Sequence, residues 1–180
     1  MNCEVVSDPT VICHEVNSFF SSIGRELDSN LTASHVSPMH YLHGNYPSMT
    51  LTLTTSDEIT NVIKQQKNSC PCHDNIHVKI LKLASTVISP VLLRIINHSF
   101  QIGIFPDTLK IAKLIPIFKA GDRLQTSNYR PISILSTISK LIGKLMFDRL
   151  SFFITENNVL SSNQFGFRKK NLSPQAAIVK

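Results

Sequence analysis

The chain has no apolar run approaching the roughly 20 consecutive residues that a bilayer-spanning helix needs, which argues against a helical membrane protein and a membrane partner. Its opening residues, Met1 to Pro9, show neither a basic leader nor an apolar stretch behind it, so no secretory signal is expected. Cysteine is scarce, four in 180 residues. Without an export signal, Cys3, Cys13, Cys70 and Cys72 are expected as free thiols in a reducing compartment. No internal repeat or low-complexity tract is present. Charged residues are only 17% against 42% hydrophobic, a balance that excludes a disordered chain. What is left is a globular chain long enough for one domain with a real core, or for a small domain plus an appendage.

The charge is unevenly divided. Residues 1–109 carry 6 Lys and Arg against 9 Asp and Glu, and residues 110–180 carry 12 against 3, so the net +6 is −3 in one part and +9 in the other. A basic half is what a phosphate-rich partner selects, because each neutralised phosphate releases a counterion. Taken by itself, such a bias is more often a solvated surface. Cys70, Cys72, His73 and His77 fall within eight residues and invite a zinc reading. The C-x-C spacing and the lack of a second pair argue instead for a polar loop with incidental thiols.

Periodicity predicts an amphipathic helix from Thr10, its expected N-cap, to Leu27, with Ile12, Val16, Phe19, Phe20, Ile23 and Leu27 on one face seeking a partner. Residues 29–50 read as a polar linker. Thr55 to Glu58 has the form of a capping box opening a helix to about Lys67, with Ile59, Val62 and Ile63 inward. A second stripe is expected at Ile76, Ile80, Leu83, Ala84 and Val87, interrupted at Ser89-Pro90. It resumes from Val91 with Leu92, Ile95, Ile96 and Phe100 inward and Gly103 as the stop. Leu114 to Phe118 reads as an edge strand because Pro116 cannot donate to a ladder. Ala120-Gly121-Asp122 turns the chain, and Arg130 to Leu135 returns as the second strand of a hairpin. Ile138, Leu141, Ile142, Leu145, Met146, Leu150 and Phe153 mark a long helix ending near Asn157. Its other side carries Lys140, Lys144 and Arg149, which are suited either to a nucleic-acid groove or to solvent. Ser173-Pro174 opens a further helix. The fold class expected is α+β, mostly α.

Three blocks occur in order: LIPIFKAGD (Leu114–Asp122), NYRPISILS (Asn128–Ser136) and NQFGFR (Asn163–Arg168). Together they resemble the opening blocks of the reverse transcriptases of non-LTR, jockey-like retrotransposons. Ile102–Asp122 and, more loosely, Glu15–Gly24 extend the match upstream. The resemblance implies a partial fingers region with a β hairpin and an incomplete palm. Residues 1–50 would be an endonuclease-to-polymerase linker and residues 51–180 the front of the polymerase domain, ending before the catalytic aspartates. The intact enzyme would use an RNA template, a DNA primer, deoxynucleotides and magnesium, inside the cell in the nucleus or cytoplasm.

A polymerase must neutralise an incoming triphosphate while leaving sugar and base free, and cations on a mobile hairpin achieve this. Lys119 and Arg130 match the positions of the family's triphosphate-contacting Lys and Arg. Gln164, Gly166, Arg168, Lys169 and Lys170 match its template-contacting segment, with Phe165 and Phe167 more in keeping with core. Tyr129 is equally suited to stack on a base and to pack, and Asn128 to bond local backbone. The sequence departs from the family's pattern in three places. Cys72 and Asn75 stand where glycines flank Asp74, Gly143 stands where an acidic residue precedes Lys144, and Leu172-Ser173 replaces a Ser-Thr pair.

No Asp or Glu follows Arg168, and Asp107, Asp122 and Asp148 sit in contexts unlike the family's metal-binding segments. Two-metal transfer needs carboxylates holding cations about 3.5–4 Å apart. The expectations are therefore no catalytic residue and no cofactor in this chain, no primer extension by it alone, and self-association through exposed core. The alternatives are a non-catalytic nucleic-acid-binding protein and an inert pseudogene product.

Overall fold

The computed structural model describes residues 6–32, 36–37, 40 and 46–160. The first helix, α1 (Pro9–Ser29), starts two residues earlier than its periodicity suggests. Asp8 is the cap, its carboxylate accepting from the backbone N–H of Thr10 (2.7 Å) and Val11 (3.3 Å). Pro9 at the first helical position fixes the start and displaces Thr10 from the capping role. No α1 residue is buried, and Val16, Phe19, Phe20 and Ile23 are half-buried. The expected linker lies partly outside the described residues.

Helix α2 (Ser56–Gln65) is capped by Thr55, whose hydroxyl accepts from Glu58 N–H at 3.2 Å. Only this half of the capping box forms. The Glu58 carboxylate turns away to accept from Thr54 Oγ1 (2.5 Å) and from Arg149. Asn97 ties down the segment before α2, accepting from Thr54 N–H (2.8 Å) and donating to its carbonyl (3.1 Å).

Helices α3 (Val78–Leu83) and α4 (Ser85–Ile102) correct the expected stripe. The break falls at Ala84, and Pro90 stands inside a continuous α4 rather than ending it. The inward face is Val78, Leu81, Ser85, Ser89, Leu92 and Ile96, while Ile80, Leu83, Val87 and Ile95 are exposed. Small serines win the inward positions because α4 lies against α2: Ser89 Oγ meets Thr60 Oγ1 at 2.8 Å. A bulkier residue there would hold the helix axes apart. Gly103 ends α4 at φ 69°, as expected of a left-handed cap.

Strands β1 (Ala112–Phe118) and β2 (Tyr129–Leu135) form a two-stranded antiparallel hairpin. Helix α5 (Thr137–Glu156) follows, capped by Ser136, which accepts from Ser139 N–H at 3.0 Å. Leu141, Ile142 and Leu145 join Ile59, Ile63, Leu92, Ile96 and Phe100 in the core. Met146 and Leu150, expected inward, are exposed along with Phe147 and Phe152. The described residues are thus mostly helical with one small sheet, and the core is built from α2 to α5.

Candidate functional site

The hairpin register pairs Ile117 with Arg130, Phe118 with Tyr129 and Pro116 with Pro131. Lys119 N–H donates to Asn128 O at 2.9 Å, extending the ladder one step. Hydrogen-bonded and non-hydrogen-bonded pairs alternate in an antiparallel ladder. The Lys119–Asn128 bond therefore places Pro116 and Pro131 at a non-hydrogen-bonded pair, where both nitrogens face outward. Neither proline removes a ladder bond, and each blunts an outer edge. Both outer edges of the hairpin are interrupted at that point.

Residues opposite or two apart share a face, so Lys119 and Arg130 lie diagonally on one face, roughly 7–8 Å apart at such positions. Both are exposed, and neither makes an ion pair among the described residues. Exposed Ile117 and Ile132 lie on the same face. The structure thus brings together the two cations that the sequence singled out.

The loop between them is tied to itself. Asn128 Nδ2 donates to Asp122 O (2.9 Å), Asp122 Oδ1 accepts from Leu124 N–H (2.9 Å), and Tyr129 OH donates to Arg123 O (2.9 Å). The Tyr129 ring packs edge-on to Phe118 at 5.5 Å, so it is used for packing. Arg123, a third cation without a motif to mark it, lies over the Phe118 ring at 4.6 Å. Its position one residue after the Gly-Asp turn was the available signal. Gly121 holds φ 93°, and a Cβ there would lie 2.7 Å from Asn128 Nδ2. Gly121→Ala is therefore expected to cost about 1–2 kcal/mol in denaturant unfolding, combining positive-φ strain with loss of the Asn128 tie. An unchanged midpoint would contradict this loop geometry.

The cysteine loop is not incidental. Cys72 is buried at the hairpin base, its thiol donating to Ile134 O at 2.9 Å and lying 3.1 Å from His73 Nδ1. Asn75 adopts φ 54°, and Ile76 N–H donates to Asp74 Oδ1 at 3.1 Å. Asparagine tolerates the left-handed region better than most side chains, so Asn75 makes this turn without a glycine.

The lysine face of α5 divides. Lys140 Nζ donates to Ser69 Oγ (3.1 Å), and with Lys67 and Lys144 it borders a groove of about 420 Å³. Lys144 pairs with Asp148. Arg149 is not part of any such groove. Its side chain is only 11% exposed and grips Glu58 through both carboxylate oxygens, at 2.9 and 3.0 Å. The Arg149 hydrogen bonds hold the Glu58 carboxyl below its ordinary value, burial opposing them.

Gln164, Gly166, Arg168, Lys169, Lys170 and the Ser173-Pro174 helix lie outside the described residues. The three aspartates named from sequence are each locally engaged: Asp107 with Lys110, Asp122 with its own turn, Asp148 with Lys144. Among the described residues no three His, Cys, Asp or Glu side chains are placed to hold a metal ion. These residues do not fit magnesium. No described helix is long and apolar enough to cross a membrane.

No family model matches the chain. Curated proteins do. A probable RNA-directed DNA polymerase from transposon BS of Drosophila melanogaster is 35% identical over 115 residues, 63% of this chain and 13% of that protein. The RNA-directed DNA polymerase from the mobile element jockey of the same species is 28% identical over 130 residues, 71% of this chain and 14% of the relative. A probable RNA-directed DNA polymerase from its X-element transposon is 29% identical over 108 residues. The chain is homologous to the RNA-directed DNA polymerases of non-LTR retrotransposons. It spans about one-seventh of the length of the BS and jockey polymerases.

Proposed function

We propose that this chain is the front part of a non-LTR reverse transcriptase domain, with residues 51–180 as a fingers region and residues 1–50 as the connector before it. Its role is to hold the incoming nucleotide and the template for RNA-directed DNA synthesis carried out by the intact polymerase. In that polymerase magnesium supplies charge neutralisation at the reacting phosphate. This chain's own residues bind and orient. Lys119 and Arg130 neutralise the triphosphate from one face of the hairpin, and the residues from Gln164 to Lys170 contact the template strand.

The observation that carries this reading is the exposed Lys119–Arg130 diagonal on a two-stranded ribbon with a tied loop. A planar guanidinium and a point-charge ammonium suit different oxygens of one polyphosphate. Prolines on both outer edges favour a ribbon that stays two-stranded and free to swing, as closure over a nucleotide requires. The homology to RNA-directed DNA polymerases supports the same reading.

Titration of the chain with a deoxynucleoside triphosphate, followed by NMR, tests it. Signals of Lys119 and Arg130 are expected to shift with the triphosphate and not with the nucleoside. The double variant Lys119→Ala/Arg130→Ala is expected to bind roughly tenfold more weakly, as loss of charge-assisted contacts implies. Equal shifts with the nucleoside, or unchanged binding by the variant, would overturn the triphosphate role.

A second reading, a non-catalytic nucleic-acid-binding protein, is favoured by the Lys67–Lys140–Lys144 groove and by the +9 charge of residues 110–180. That reading needs phosphate contacts but no triphosphate selectivity.

A further inference from the structure

The outward side of α3 and α4 is an apolar stripe. Ile80, Leu83, Val87, Val91, Ile95 and Ile102 recur at three-, four- and seven-residue steps and are exposed, Leu83 to 87% and Val87 to 80%. A hollow of about 490 Å³ lies on this stripe, lined by Pro90, Val91, Arg94 and Ile95. Isolated exposed apolar residues are ordinary on a monomer, but a continuous helical stripe of this kind marks an interaction surface. Its charge has one sign: residues 78–102 carry Lys79, Lys82 and Arg94 and no acidic residue.

Helix α1 is the complement. Its apolar face runs from Ile12 through Val16, Phe19 or Phe20 and Ile23 to Leu27, and none of its residues is buried. Between Asp8 and Asp28 it carries Asp8, Glu15, Glu26 and Asp28 against Arg25 alone. At 100° per residue, Glu15 and Glu26 fall along one border of the apolar face, about three turns apart. The α1 face matches the α4 part of the stripe in length, since Ile12 to Leu27 and Val87 to Ile102 each span about 22 Å at 1.5 Å per residue. Phe19 and Phe20 stand edge to face at 5.1 Å near the middle of α1, and the hollow lies near the middle of α4.

We propose that α1 of one copy docks on the α3–α4 stripe of a second copy, and that the exchange is reciprocal. In this structure the stripe is exposed, so the copy's own α1 does not cover it. A second copy supplies an acidic amphipathic helix of the right length, and a reciprocal contact closes as a two-fold dimer with no free face left over. The pairing is antiparallel, which sets Glu26, on the border of the apolar face, towards the Lys82 end of the stripe and inserts the phenylalanine pair into the Pro90–Val91–Arg94–Ile95 hollow. Arg94 then lies beside an aromatic ring, where a cation gains.

Sedimentation equilibrium on the full chain tests this. The parent chain is expected to form a reversible dimer that weakens as salt rises. Phe19→Asp/Phe20→Asp and Val87→Asp/Val91→Asp, made at residues outside the core, are each expected to be folded monomers. Mixing the two is expected to restore a weaker heterodimer, because each keeps the face the other has lost. Should either variant unfold, Glu15→Lys/Glu26→Lys is expected to weaken the parent dimer at least threefold without touching an apolar contact. A monomeric parent chain, including one in which α1 crosslinks to α4 of its own copy, overturns the proposal. A dimer that survives the substitutions, or a mixture that does not associate, overturns it equally.

Discussion

Arg149→Met is expected to lower the unfolding free energy by about 3 kcal/mol, the largest loss of any single substitution outside the apolar core. The guanidinium donates to both oxygens of Glu58, to Thr52 O at 2.7 Å and to Leu145 O at 3.0 Å, and it covers the Phe100 ring at 5.3 Å. One side chain thus joins α5 to α2, α4 and the segment before α2. Methionine fills much of the volume but takes the guanidinium donors from the Thr52 carbonyl and the half-buried Glu58 carboxylate, and a buried acceptor that loses its donor costs more than a formed bond contributes. Arg149→Lys keeps the charge and loses the fork, so it is expected to recover less than half of the stability.

The same pair sets an acid limit. Glu58 is held below its ordinary value of 4.5 by the Arg149 hydrogen bonds first, with Thr54 adding to them. A carboxyl lowered on folding contributes stability above its unfolded pKa and loses it as the pH falls through the folded one. The parent chain is therefore expected to weaken on going below about pH 4.5, and Arg149→Met to show a flatter pH dependence over that window. Asp107 is shifted in the same direction by Lys110, but it is fully exposed and unaffected by the substitution. Chemical denaturation of both chains at pH 7 and at pH 3.5 reads both effects. Equal stability at pH 7, or parallel pH profiles, would contradict the clamp.

Much of the fold was legible because it rests on local chemistry. The Thr55 cap, the Gly103 stop, the Gly121 turn, the hairpin and the extent of α5 all follow from residues close in sequence. The α3–α4 face was not legible, since apolar residues sit on both sides of these helices and the inward positions are shared by serines. Periodicity counts apolar residues and cannot see that Ser85 and Ser89 let α4 approach α2. Arg149 was legible only as a cation opposite an apolar stripe, because its partner Glu58 lies far upstream and belongs by local pattern to a capping box. Lys119 and Arg130 were legible through their motifs, and the register supplied what the motifs lacked, a shared face. The burial of Cys72 had no signal in its neighbours at all.

Replacing Arg168, Lys169 and Lys170 together with alanine is expected to give the largest change in nucleic-acid binding. The three are consecutive cations two residues after Gly166 in a half that carries +9. Lys119 and Arg130 are expected to matter less for RNA alone, since their proposed ligand is a triphosphate. Single-stranded RNA releases counterions at about 0.7 per phosphate contacted, so losing three contacts flattens the log–log salt slope by about 2. Because phosphates carry no sequence, the loss is expected to be the same for unrelated RNAs. The measurement is RNA affinity across a salt series for the parent chain and the triple variant. Sequence-independent binding at low salt that falls steeply with salt is expected for the parent, and a weaker, flatter dependence for the variant. A parent chain that does not bind RNA at low salt, or a triple variant that binds as tightly as the parent, would contradict it.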